Sequence, residues 1–485
     1  MPLTTTNRTN GHCVKSAQLV LLGTLVHVSA FSQEFHVPDL TGDQQRAIDG
    51  ISEGSVLGTV SFLASDEMAG RDTPSRELTI ASSYVASRFR GAGLEGPGPD
   101  GSYYQVHEFV TTTPPGTGAE LIEDGGRVLP HLGVISGGPD FVEFTATVVD
   151  ESTALAANSA EIVCLESLNI RPQAAEHPQL ALAAAARRLR ALQKKETKLA
   201  LILCDSDSIL PLAAERLLET PSPLTAGFTL ECAVVLVSRD TNPVGKQLTV
   251  RIGAQRVQRN PVRNVVGILR GSDPELTREA VLISAHLDHI GGQFHGADRI
   301  NNGADDNATG VTSVLSLADA FCRLNPRPKR SIIFATFWGE EKGLLGSRQF
   351  VEDPLWPLSQ IVANINIEMV GRPEADARER AWMTGWKHSN LGPIMNVGSR
   401  RVGVEIFNRT DVGEMLYSRS DNYSFVRKGV IAHSFSAGSL HADYHQPSDE
   451  WEKLDIPHMT KVIQGLFAGA LLIADSHIVA ALSTQ

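Results

Sequence analysis

Arg330–Glu341 reads RSIIFATFWGEE: a short apolar run rich in isoleucine and aromatic residues, then Gly339 and two adjacent glutamates. A run of this length without polar alternation fits a strand buried on both faces. The same design recurs on either side. Ala280–His286 (AVLISAH) is an apolar run that ends in histidine, and Ile361–Glu368 (IVANINIE) is one that ends in glutamate. Between these runs, GVTSVLSLADAFCRL (310–324) and GLLGSRQFV (343–351) carry apolar residues at helical spacing. Strand–helix alternation of this kind predicts an α/β fold: a mixed, largely parallel sheet covered by helices on both faces. Such sheets bind ligands beyond the carboxyl ends of their strands. His286, Glu340, Glu341 and Glu368 each end an apolar run, so all four are expected at that one edge.

Two further motifs carry potential metal ligands. Asp305 and Asp306 lie in NNGADDNATG (301–310), and His445 lies in DYHQPSDE (443–450). Side by side before a helix, the two aspartates divide naturally into one that caps and one that bridges. The expected ligand set is His286, Asp305, Glu341, Glu368 and His445. Two imidazoles and three carboxylates suit a pair of zinc ions sharing one carboxylate. His433 and His441 are rival ligands to His445 on spacing alone. Glu340, next to a ligand, is free to act as a base. Asp288 follows His286 by two residues and, in extended chain, faces the same side, as a carboxylate steadying a ligand imidazole would. Ordinary structural roles are open to most of these residues, but Glu368 interrupts an apolar run, and an unpaired buried carboxylate is costly. Neither HExxH nor GxSxG occurs, which removes support for single-zinc zincins and serine hydrolases.

At 485 residues the chain has room for two or three domains. With 42% hydrophobic and 20% charged residues, its composition is that of a soluble globular protein. A net charge of -12 argues against a nucleic-acid-binding surface. Residues 1–32 read as a signal peptide, with Arg8 and Lys15 ahead of a mostly apolar stretch (17–30), which predicts a secreted or periplasmic protein. No other segment is expected to cross a membrane. Residues 41–112 read as helix-rich, and TTTPPGTG (111–118) then breaks the pattern. Residues 119–258 read as a compact β-rich insert around one long helix, QLALAAAARRLRALQKK (179–195), and the catalytic domain is expected over 262–480. Five cysteines without a CxxC motif point to free thiols rather than thiolate zinc sites, with one disulfide inside the insert as the alternative.

Taken together, AHLDH, GADDNATG, FWGEEKGLLGS, NINIEMVGR, RSDNYSF and YHQPSDE resemble the co-catalytic zinc aminopeptidases, whose superfamily includes glutamate carboxypeptidases and the transferrin receptor. The likeness covers 262–480, and LASDEMAGRDTPS with GSYYQ extends it over 50–110. Residues 119–258 stand where many members insert a protease-associated domain. The resemblance implies two zinc ions, with His286 and Glu368 on one, Glu341 and His445 on the other, and Asp305 bridging. It further implies Glu340 as general base, Asp288 as the partner of His286, and Tyr444 as an oxyanion stabiliser. Two positions depart from the pattern: Glu368, where aspartate is commoner, and Asn422, where histidine is. The implied function is an aminopeptidase acting on peptides. A carboxypeptidase or dipeptidase and a catalytically inactive binding protein are the alternatives.

Overall fold

A computed structural model describes residue 37 and residues 39–483, apart from 116–117, 139, 158–159, 167, 169–178, 194–196, 209, 219–221, 224–231, 293–295, 375–376 and 439. The expected signal peptide lies outside the described residues.

Helices α1 (Gly42–Asp49), α2 (Glu53–Leu63) and α3 (Arg76–Ala92) lead into strand β1 (Tyr104–Thr113). Ser52 and Ser75 cap α2 and α3 through their hydroxyls, and Gly93 closes α3 in the left-handed region. The end of the helix-rich segment is therefore a strand, as its β-branched and aromatic residues (YQVHEFVTTT) favour.

A unit with its own sheet follows. Its elements are β2 (Ala119–Glu123), β3 (Val128–Leu129), β4 (Gly133–Gly137), β5 (Val142–Asp150), α4 (Glu151–Ala156), β6 (Ile162–Leu165), α5 (Gln179–Gln193), β7 (Leu199–Cys204), α6 (Leu210–Leu217), β9 (Ala233–Ser238) and β10 (Gln247–Ile252). Its order is β3-β2-β10-β5-β6-β7-β9-β4, and two shorter helices accompany the expected long one. The two-residue strand β8 (Ser222–Pro223) pairs instead with β1. Cys164, Cys204 and Cys232 are buried free thiols, so the alternative of a disulfide within the insert is not realised.

The chain returns through β11 (Arg256–Leu269), which pairs antiparallel with β1 from Tyr104↔Val265 to Thr113↔Arg256. The remaining strands are β12 (Ala280–His286), β13 (Ser331–Phe337), β14 (Ile361–Ile367), β15 (Arg380–Met383), β16 (Glu405–Asn408) and β17 (Ala432–Ser436). The larger sheet runs β16-β15-β17-β14-β12-β13-β11-β1-β8, and its four central strands, β17, β14, β12 and β13, are mutually parallel. Helices α7 (Thr309–Cys322) and α12 (Ile456–Ala474) pack on one face with α2 and α3, while α8 (Leu345–Glu352) and α11 (Asn422–Val426) cover the other. The expected α/β architecture is the one observed.

Strand β13 shows why its sequence lacks alternation. Ile333, Ala335 and Phe337 join one core with Phe350 and Phe425, whereas Phe334 meets Phe89 and Phe321 on the opposite face. Both faces are covered, so every position is apolar. Contrary to expectation, α12 is also long and apolar enough to cross a membrane, yet it is mostly buried as a core helix.

Candidate metal centre

Parallel strands deliver their last residues to one edge. His286 ends β12 opposite Phe337 of β13, and Leu287 N donates to Phe337 O. Past Phe337 the chain turns sharply at Gly339 (φ 66) and places Glu340 and Glu341 before α8. They sit in a turn rather than in the first turn of a helix. Glu368 follows β14 directly, with its N–H on Phe435 O of β17.

Three carboxylates and three imidazoles meet here. His286 Nε2 lies 3.2 Å from Asp306 Oδ1 and 3.2 Å from Glu368 Oε2. His445 Nε2 lies 3.2 Å from Asp306 Oδ2 and 3.3 Å from Glu341 Oε2. His289 Nδ1 is 2.9 Å from Glu341 Oε1. Asp306 thus stands between two overlapping sets, His286–Asp306–Glu368 and His289–Asp306–Glu341–His445, each with ligand atoms close enough to share an ion.

The expectation that Asp305 bridges is corrected by this geometry. The Asp305 carboxylate accepts from Gly371 N (2.8 Å) and faces His441 Nε2 (3.2 Å), away from the other ligands. Asp306 and Asn307 leave the helical region (φ -107, ψ 91 and φ -135, ψ 42), and this break turns the second aspartate toward the histidines. A carboxylate at Asp449 accepts the N–H groups of both Asp305 and Asp306 at 3.1 Å, holding the turn. The other rival histidine, His433, is committed to Thr384 O and Ser389.

Asp288 departs from its expected part as well. His286 Nδ1 bonds the backbone oxygen of Asp288 at 3.0 Å, while the carboxylate stays 3.9 Å off and accepts from Glu340 N and Thr73 Oγ1. It therefore positions Glu340 at least as directly as His286. Tyr444 lines the cavity and stacks on His445, with ring centroids 3.9 Å apart. Glu368 Oε1 accepts from Asn366 and Ser420, and its Oε2 accepts from Asn307.

Burial sets the electrostatics. It lifts the Glu340 carboxyl well above its ordinary range, with Glu341, Asp421 and Glu368 adding repulsion. It pushes Asp288 up to about 6 and Asp421 to about 7. Burial also opposes charge on His445, but hydrogen bonds to Asp306 and Glu341 outweigh it and raise that imidazole to about 10. Carboxylates gathered out of water repel one another, and divalent cations relieve that cost. The donor set of imidazole nitrogen and carboxylate oxygen, with His445 Nε2 facing carboxylate oxygens of both Asp306 and Glu341, fits zinc.

Three contributors escaped the sequence reading: His289, Asp449 and Arg71. The Arg71 guanidinium is buried and donates to the carbonyls of Leu63, Leu287, Asn302 and Gly303, with no direct ion pair among the described residues, and its charge acts on the nearby carboxylates of Asp288, Asp306, Asp449 and Glu341. The only signal for His289 was its place in AHLDH, one residue past Asp288.

Residues 264–468 match the model of peptidase family M28. The "Probable glutamate carboxypeptidase" of Arthroderma benhamiae is 28% identical over 232 residues, 44% of this chain and 30% of that protein. The "Probable zinc metalloprotease" of Pyrenophora teres f. teres is 34% identical over 116 residues, 24% of each chain. A "Vacuolar membrane protease" of Clavispora lusitaniae is 27% identical over 195 residues, 40% of this chain and 17% of its own. The chain therefore spans less than a third of the length of these relatives. Proteins of the last name recur in Candida glabrata, Yarrowia lipolytica and Lachancea thermotolerans, which overturns the expected secreted or periplasmic location. Among solved structures, the aminopeptidase from Aneurinibacillus sp. strain AM-1 matches at TM-score 0.54 and 19% identity over 89% of this chain and 96% of its own. The zinc aminopeptidase BSAP of Bacillus subtilis matches at 0.52 and 17% over 88% and 96%. These two likenesses establish the zinc exopeptidase fold.

Proposed function

We propose that the chain is a two-zinc exopeptidase that removes N-terminal residues from peptides. The observation that carries this reading is the shared position of Asp306 between two sets of ligand atoms. His286, Asp306 and Glu368 would hold one ion; Asp306, Glu341 and His445 would hold the second, with His289 against Glu341. When bound, the two ions supply the positive charge that polarises a scissile carbonyl and acidifies a water.

The chain's own groups supply the rest. Glu340, half-buried, could group with His286 and Glu341 around an ion but stands outside the two sets that share Asp306; it takes the proton of the attacking water on a carboxylate oxygen and returns it to the leaving amine. Asp288 fixes the Glu340 backbone through the N–H at 3.1 Å. The Tyr444 hydroxyl, lining the same cavity, donates to the oxyanion. Trp382, Leu416 and Leu440 line the same cavity and offer an apolar surface to a substrate side chain. A free ammonium finds Glu340 and Glu368 beside the scissile bond, which favours the amino end of a peptide. On its position between β1 and β11, the second sheet is read as a protease-associated-like insert.

The test is hydrolysis of leucyl-p-nitroanilide, with and without N-acetylation, by zinc-loaded and chelator-treated protein. Cleavage of the free-amine substrate alone, abolished by chelator, is expected. Faster turnover of an N-acetylated dipeptide would point instead to the carboxypeptidase reading, which the name of the Arthroderma relative favours.

A further inference from the structure

Cations near the carboxylate cluster are almost all committed. Lys342 pairs with Asp72 at 2.8 Å, Arg372 with Asp443, and Arg409 with Glu374 at 2.7 Å and Asp411 at 3.0 Å. Arg419 differs from these. It lines the same cavity as Asp306, Glu340 and Glu368, it is exposed, and among the described residues it has no ion pair. Its backbone is tethered, because Arg419 N donates to Leu416 O at 3.0 Å and the next residue, Ser420, donates its hydroxyl to Glu368. The guanidinium is thus carried on a turn bonded to the metal cluster, beside walls formed by Met369, Trp382, Leu416 and Leu440. Five N–H donors in a planar fork join a cavity lining whose other large side chains, outside the carboxylate cluster and His286, are apolar or aromatic.

We infer that Arg419 receives a carboxylate of the substrate, so that the site favours peptides with an anionic group close to the scissile bond. The inference rests on the exopeptidase reading above and deepens it. A guanidinium binds a carboxylate through two parallel hydrogen bonds. Two parts of a peptide present that group: the side chain of an N-terminal glutamate or aspartate, and the terminal carboxylate of a dipeptide. Either one, drawn to Arg419, leaves the free amine to Glu340 and Glu368 and the scissile carbonyl over the cluster.

The zinc-loaded full chain tests this with two substrate pairs. One is glutamyl- against leucyl-p-nitroanilide; the other is Leu-Leu against Leu-Leu-amide. The anionic member of at least one pair is expected to have the higher kcat/KM, and the pair that shows it identifies the source of the carboxylate. Arg419→Gln should lower that anionic-to-neutral ratio about 10- to 100-fold, the usual worth of a charge-assisted hydrogen-bond pair. Arg419→Lys should keep part of the ratio, because charge survives without the fork. Arg419→Glu should turn the preference toward lysyl-p-nitroanilide. If leucyl-p-nitroanilide is cleaved but neither ratio moves in Arg419→Gln, the inference is overturned and the exopeptidase reading stands. If wild-type protein cleaves none of the four substrates, both are overturned.

Discussion

Asp305 and Asp306 are adjacent, chemically identical and both buried, yet they serve different neighbours. Asp305 is held by Gly371 N and His441; Asp306 reaches His286 and His445. Asp306→Asn is therefore expected to strip both zinc ions, while Asp305→Asn should retain them and lose chiefly thermal stability. Elemental analysis of the two purified variants checks this, and equal metal loss in both would contradict the assignment. The adjacent glutamates divide in the same way. Glu340→Gln should keep both ions and substrate affinity while kcat falls about 10²–10⁴-fold, the range for loss of a general base. Glu341→Gln should lose metal. A reversed pattern would mean that the two have exchanged roles.

Short elements bring the cluster its least comfortable member. Helix α11 spans only Asn422–Val426, and its N-cap is Asp421, whose side chain is buried within reach of the charges on His286, Glu368 and Asp288. Burial pushes this carboxyl up to about 7 from its ordinary 3.8. The folded pKa is raised, so the associated stability is full below about pH 4, the ordinary range, and is lost as pH climbs through 7. In metal-free protein, Asp421→Asn is expected to raise Tm at pH 8 and to have little effect at pH 4. Thermal melts with chelator at the two pH values decide it; a loss of Tm at pH 8 would show that the carboxylate is stabilising. The central strands tolerate such groups because they are rigid. Each is packed on both faces, so that His286 and Glu368 are presented by backbone that has little room to shift.

On the scale of the whole molecule, β1 and β11 form the junction between the two sheets. Thr113 pairs with Arg256, so the chain leaves and re-enters the larger sheet at neighbouring positions. Replacing residues 114–255 with a two-residue Asn-Gly turn would convert the pair into an ordinary hairpin. The shortened chain is expected to fold, bind two zinc ions and cleave leucyl-p-nitroanilide. Circular dichroism and metal content report on folding separately from activity. Failure to fold would show that the second sheet stabilises the first.

Much of this was legible in the chain itself. Apolar runs without alternation can be satisfied only between two covering layers, and this requirement, met in Ala280–His286, Ser331–Phe337 and Ile361–Ile367, dictates the central parallel strands. Their terminal His286, Glu340, Glu341 and Glu368 had to converge, because parallel strands end at one edge. Tertiary structure alone decided the remainder. Which of two adjacent aspartates faces both His286 and His445 depends on a backbone break at Asp306 and Asn307, stabilised by Asp449 from a loop more than a hundred residues away. His289 joins the cluster because the chain turns after β12, a change of direction that spacing within AHLDH does not encode. Arg71 and Arg419 gain their meaning from what surrounds them, one among carbonyls and the other beside an apolar cavity. Strand identity follows from local pattern, whereas the direction in which a loop side chain points is set by hydrogen bonds to residues distant in sequence.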